Sequence, residues 1–263
     1  MDKSVNEKLL KIQKEWKEQL YTPLFEYYNK NREELGVLSC AFGFGVSDRY
    51  IESDKKIMVV GQEANGHSVD YEKWGLENWR DWAVDYLNFQ VYGDTSQKWN
   101  FTANNSPFWQ FLIKLKEKGY GVCWNNLDKV RRYITNNGPE PTESYLLEND
   151  DDCKIKDRSI LHKKIFDGKS LLQKEIEIAE PNAVVFAVGP KNPYYHSLSL
   201  AFFGGDKVDG YLNERGKKYP QLKNDRYCCD IREYLNLDIP AYYTYHPKYL
   251  RIKGKLDGVL NKI

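Results

Sequence analysis

Three short stretches place chemically capable side chains directly after apolar runs. "KIMVVGQEANGHS" leads into Gln62, Glu63 and Asn65, "YGVCWNN" into Asn125 and Asn126, and "PAYYTYHP" into His246. A carboxylate can take a proton or steady a developing positive charge. An Asn amide offers an acceptor and two donors in one plane, and a neutral imidazole can donate to an oxygen that gains negative charge. Each residue also has an ordinary reading: a solvated turn carboxylate, a loop-capping Asn, a satisfied structural His. Their shared position after apolar runs is what singles out the set.

The elements that must position them follow from periodicity. "SVNEKLLKIQKEWKEQLYTPLFEYYNKNREEL" has apolar residues at helical spacing interrupted at Pro23, which predicts two N-terminal helices on one side of the core. "KIMVVG" predicts a strand buried on both faces. "WGLENWRDWAVDYLNF" and "SPFWQFLIKLKEKG" predict helices, the second capped by Ser106 with Pro107 in its first turn and closed at Gly119. "YGVCWNN" is a second strand, "NAVVFAVGP" a third and "PAYYTYHP" a fourth. Between the second and third lie a turn-rich acidic loop, "TNNGPEPTESYLLENDDD", and one long helical pattern, "RSILHKKIFDGKSLLQKEIEIAE". A helix over "YYHSLSLAFFG" and a mixed segment, "RYCCDIREYLNL", separate the third strand from the fourth.

Strands alternating with helices of this length predict an α/β fold: a three-layer α/β/α arrangement around a central parallel sheet of about four strands. In open sheets of this kind ligands bind in the crevice outside the carboxyl ends of the strands, where all three polar clusters would fall.

Composition sets outer limits. Residues 1–263 are long for one domain and short for two, so a single domain is expected, with N-terminal helices (about 1–35) packed on its core. The 41% apolar and 14% aromatic content suffices for that core, and no apolar run is long enough to span a bilayer. Asp2, Lys3, Glu7 and Lys8 interrupt any apolar signal core, so a cytoplasmic location is expected. Five cysteines without a CxxC pair suggest neither a disulfide framework nor a zinc ribbon. No metal, no cofactor and no obligate protein partner is expected. A net charge of +1 is compatible with nucleic acid, which requires only a local basic face. From His246 onward four Lys and one Arg stand against one Asp.

"GQEANGHS" has the spacing of the phosphate-binding loop GxxxxGK[ST], with His67 in place of the lysine. That lysine supplies the charge that holds terminal phosphates, and Glu63 inside the loop would repel them. A nucleoside-triphosphatase reading is disfavoured on both counts.

"GQEANG" instead resembles the first motif of the uracil-DNA glycosylase superfamily, GQDPYH in its best-known branch and GINPG or GMNPG in others. "HPKYLR", His246 to Arg251, resembles its second motif, HPSPLS, and "VCWNNLDKV" is similar to the strand-end Asn segment between them. Order and approximate spacing follow that superfamily from about Lys56 to Arg251, which would make this chain a divergent branch. The five cysteines do not match the pattern of the superfamily's iron-sulfur branches.

The resemblance implies roles position by position. Glu63 stands where the family has Asp or Asn, the residue that positions or activates water and steadies positive charge on the sugar. Gln62 matches a neighbour whose backbone helps hold the base, and Asn65 the place of a Tyr that blocks a C5-methyl group in strict uracil enzymes. Asn125 or Asn126 would read the base, and His246 would donate to a base oxygen. Leu250 falls at the intercalating Leu, flanked by Lys248 and Arg251 for phosphate, while Lys248 and Tyr249 replace Ser and Pro of the motif. No motif marks the aromatic that stacks on the base, for which Phe101 is a candidate.

These roles suit the chemistry. Glycosidic cleavage passes through an oxocarbenium-like sugar, which a carboxylate stabilises, while a neutral His can stabilise the departing base. Extruding a base from a duplex is aided by an apolar wedge. The expected function is therefore hydrolysis of the N-glycosidic bond of uracil or a related damaged base in DNA. The alternatives are a non-catalytic nucleic-acid or nucleobase binder of the same fold, and an unrelated α/β enzyme acting on a small nucleotide-like substrate.

Overall fold

The computed structural model describes residues 3–63, 75–96, 106–130, 132–133, 158–189, 194–203 and 227–263. Seven strands lie in them: β1 (Val37–Leu38), β2 (Lys56–Glu63), β3 (Gly121–Asp128), β4 (Arg132–Tyr133), β5 (Ala183–Phe186), β6 (Cys228–Asp230) and β7 (Ala241–Thr244). Five form the central sheet in the order β3-β2-β5-β7-β6, and β1 pairs with β4 separately. Pairings β2–β3, β2–β5 and β5–β7 are parallel, as the alternation of strands and helices predicts. The fifth strand is an addition to the four expected. β6 runs antiparallel to β7 at the sheet edge, drawn from the segment around Cys228 and Cys229.

The sheet is covered on both faces, which completes three layers. Along β2 successive side chains alternate between two cores, and Ile57, Met58, Val59 and Val60 are all fully buried. Met58 and Val60 pack with Leu9, Leu172, Ile176 and Leu198, from the helices Lys3–Trp16, Leu171–Ala179 and Tyr194–Phe203. Ile57 and Val59 pack with Leu87, Leu112, Leu115 and Leu250, from the helices Leu76–Tyr92, Pro107–Glu117 and Pro247–Ile252. Each such side chain contributes about 1.5–3 kcal/mol of burial, so a strand apolar on both faces is held firmly. The carboxyl end of β2, where Gln62 and Glu63 lie, is therefore anchored in the core.

The N-terminal helices are threaded into this frame. Asn6 and Gln13 donate to the carbonyls of Val46 and Phe44, and the Trp16 indole donates to Leu161. Pro23 sits in the first turn of Thr22–Lys30, directly after a π-helical turn at Lys17–Tyr21 through which the backbone stays helical, so the proline marks a change of helical pitch and not a gap between two helices. The long helical pattern around residues 158–179 is in fact two helices, Arg158–Leu161 and Leu171–Ala179. Asp167 and Gly168 between them take left-handed φ values of 50° and 77°, and Ser170 with Gln173 forms a capping box that starts the second helix. No helix among the described residues is long and apolar enough to cross a membrane.

Candidate functional site

Because the β2–β3–β5–β7 strands are parallel, their carboxyl ends present Gly61–Glu63, Asn125–Asp128, Ala187–Gly189 and Tyr245–His246 along one edge. Side-chain contacts then draw part of this edge into one cluster. Gln62 Nε2 donates to the Val188 carbonyl at 2.8 Å, tying the end of β2 to the chain leaving β5. Gly189 comes next, in the left-handed region at φ 77°, its carbonyl accepting from the Tyr243 hydroxyl. A Cβ at Gly189 would lie 3.5 Å from the His246 backbone nitrogen and 3.6 Å from Gln62 Nε2, so this glycine is where the Gln62 side chain and the His246 backbone approach each other.

His246 caps the helix Pro247–Ile252, with Nδ1 accepting from the Lys248 backbone N–H at 3.2 Å. That bond assigns the ring proton to Nε2, which has no protein partner among the described residues. Burial, and secondarily the Lys248 ammonium, holds the imidazole below its ordinary pKa of 6.5. His246 is thus a neutral ring with an available N–H donor. Phe108 lies nearly parallel to it, ring centroids 6.2 Å apart at 19°.

Asn126 completes the cluster. It pairs with Gly61 across the sheet, and its Oδ1 would stand 2.9 Å from a Cβ on that glycine, with the Phe108 ring at 3.4 Å. Trp124 Nε1 donates to the same Oδ1 at 3.1 Å, which orients the amide. Asn126 is 1% exposed and its Nδ2 is a buried donor without a partner among the described residues. Buried amides are normally satisfied, so an orphan donor near the Phe108 ring, which in turn lies against His246, is a place for a ligand acceptor.

Asn125 faces the other way. Its Nδ2 donates to Glu175 Oε2 at 2.9 Å, and its Oδ1 accepts from Lys129 Nζ and from the Asn126 backbone N–H. Lys129 and Glu175 form an ion pair at 2.7 Å with both side chains buried, and Gln13 donates to Glu175 from the N-terminal helix. Burial pulls the Lys129 ammonium down in pKa, opposed by Glu175. This is a hydrogen-bonded polar knot beneath the strand end, in which Gln13 Oε1 is the one acceptor left without a partner among the described residues. Of the two Asn alternatives only Asn126 carries an unmet hydrogen bond.

Glu63 is the last residue of β2 and pairs through its backbone with Asp128. Asn65 and Phe101 lie outside the described residues. Lys248 and Arg251 are exposed. Leu250 corrects the expectation of an apolar wedge: at 0% exposure it packs with Ile57, Val59 and Leu112, and a side chain sealed in the core cannot enter a duplex. The apolar groups exposed on that helix are Tyr249 and Ile252.

Sequence reasoning missed Phe108, Trp124, Gly61 and Gly189. For Phe108 a signal existed. The Ser106-Pro107 cap starts a helix packed against β3, whose amino end must lie at the carboxyl edge of the sheet. Among the described residues no three His, Cys, Asp or Glu side chains group to hold a metal ion. No known family model matches the chain, and no curated protein matches it.

Proposed function

We propose that this crevice receives a nucleobase extruded from DNA and hydrolyses its N-glycosidic bond, with uracil or a related damaged base as the substrate class. The observation that carries the reading is Asn126 Nδ2, buried and without a partner among the described residues, near the Phe108 ring that lies against the neutral His246. Phe108 offers a stacking face, Asn126 a donor for a base carbonyl, and His246 Nε2–H a donor for an oxygen that turns anionic as the base leaves. Glu63, the residue of the GQEANG motif, steadies the cationic sugar and takes the proton of the water whose oxygen bonds to C1′ as the C1′–N bond breaks. Lys248 and Arg251 contact phosphate. The setting is cytoplasmic DNA repair.

A gel assay tests this on uracil-containing single- and double-stranded oligonucleotides, at enzyme excess and with alkaline cleavage of abasic sites. The parent should yield product. Glu63→Gln should lower it by orders of magnitude with oligonucleotide affinity held, Glu63→Asp should retain or raise it, and Asn126→Leu should abolish it. Binding without release of any base by the parent would leave a nucleobase binder in place of an enzyme.

A further inference from the structure

The helix Pro247–Ile252 turns Pro247 and Leu250 into the core, so its outward face is Lys248, Tyr249, Arg251 and Ile252. Tyr249 is 40% exposed and Ile252 67%, a pair of large apolar groups on one six-residue helix. The Tyr249 ring is backed by Tyr245, centroids 5.0 Å apart at 20°, and Tyr245 in turn by Tyr227 at 5.4 Å. A ring held this way loses little freedom when something stacks on it.

Charge surrounds the pair. Lys248, Arg251, Lys253 and Lys255 are all exposed, and the nearest acid downstream, Asp257, is bridged by Lys114 at 3.3 Å. Lys253 Nζ sits 5.5 Å from the Tyr249 centroid, where a phosphate can recruit the flexible ammonium and leave the ring to a base. The patch also begins at the crevice, since the Tyr249 backbone N–H donates to the His246 carbonyl at 2.8 Å.

We infer that this patch is a stacking platform for single-stranded nucleic acid, with unpaired bases on Tyr249 and Ile252 and phosphates on Lys248, Arg251, Lys253 and Lys255. Exposed aromatics among cations suit an unpaired strand, whose bases have free faces, whereas the bases of a duplex stack on one another. A lipid surface fits less well, because interfacial helices bury a long apolar face and this helix exposes two apolar residues. The inference rests on the crevice being a nucleobase site, and adds that the strand crossing its mouth is unpaired.

Fluorescence anisotropy of a labelled 20-mer oligothymidylate and a blunt 20-base-pair duplex, each across a salt series, tests it. The single strand should bind tighter. Tyr249→Ala should weaken it by roughly 5- to 150-fold with the salt slope unchanged, and Tyr249→Trp should restore it. Lys253→Ala with Lys255→Ala should flatten the slope by about 0.7 for each phosphate these lysines neutralise. Tighter duplex binding, or single-strand affinity indifferent to Tyr249→Ala in a folded variant, overturns the platform while base excision can persist. Binding of neither oligonucleotide overturns the crevice reading as well. Co-sedimentation with vesicles of phosphatidylcholine and 30% phosphatidylserine, lost in Tyr249→Ala, would assign the patch to lipid instead.

Discussion

Asn126 lies over Gly61, its Oδ1 2.9 Å from the point where a Cβ on that glycine would be. A real Cβ does not tolerate that distance. The amide cannot simply rotate away, because it is 1% exposed, held by Trp124 Nε1 and neighboured by Phe108. Gly61→Ala should therefore displace the amide and break the Trp124 bond, at a stability cost of about 1–3 kcal/mol. Urea unfolding reads the cost and the uracil assay the consequence. Product formation should fall far more than the folded population does. Equal activity in a folded variant would remove Asn126 from the site.

His246 predicts a pH dependence. Its folded-state pKa is depressed, so between that value and 6.5 the unfolded chain holds more proton than the folded one. Its contribution to stability is complete above 6.5 and is lost as pH falls through the folded value. If the neutral ring is the active form, kcat/KM should show an acid limb at the same midpoint. Lys248→Met removes the smaller of the two causes, so the midpoint in an NMR titration should rise yet stay below 6.5. A midpoint at or above 6.5 in the parent would contradict the buried environment.

The Lys129–Glu175 pair is a structural prediction. Removing one partner leaves the other buried and charged, which should cost about 3–5 kcal/mol for Glu175→Gln or Lys129→Met. The double variant should recover part of that cost but not all, because a Gln amide at 175 offers one acceptor to the two donors of Gln13 and Asn125, and Asn125 Oδ1 loses the Lys129 ammonium. A double-mutant cycle followed by urea unfolding measures the coupling. Single variants costing under about 1 kcal/mol would show that the knot is wet.

Thiol chemistry gives a fourth check. Cys40, Cys123, Cys228 and Cys229 are buried; burial pushes the Cys228 thiol up to about 12 and raises Cys123 as well. Of the five cysteines, at most one should react quickly with Ellman's reagent at pH 8 in the native protein, and all five in guanidinium. Two fast equivalents would refute the burial of these thiols.

What the amino-acid order determined by itself was local and periodic. Four consecutive apolar residues, Ile57 to Val60, require burial on both faces, and a strand so built has to sit inside a parallel sheet. Ser106, Pro107 and Gly119 bound their helix for reasons contained in those residues, and the convergence of polar segments at one sheet edge follows from the alternation of elements. The break at Asp167-Gly168 was encoded too, as a turn dipeptide that the reading of that stretch as one long helical pattern passed over. Tertiary structure decided what local pattern leaves equivalent. Adjacent strand residues point to opposite faces, so whether Asn125 or Asn126 meets the crevice depends on which face Glu175 and Lys129 occupy. Whether Leu250 is a tip or a core residue depends on how its helix rolls against Leu112 and Val59, and β6 exists because β7 offers an edge to pair with. Phe108 enters the site only because its helix brings the ring to His246, from a part of the chain so distant in sequence that no local rule encodes the meeting.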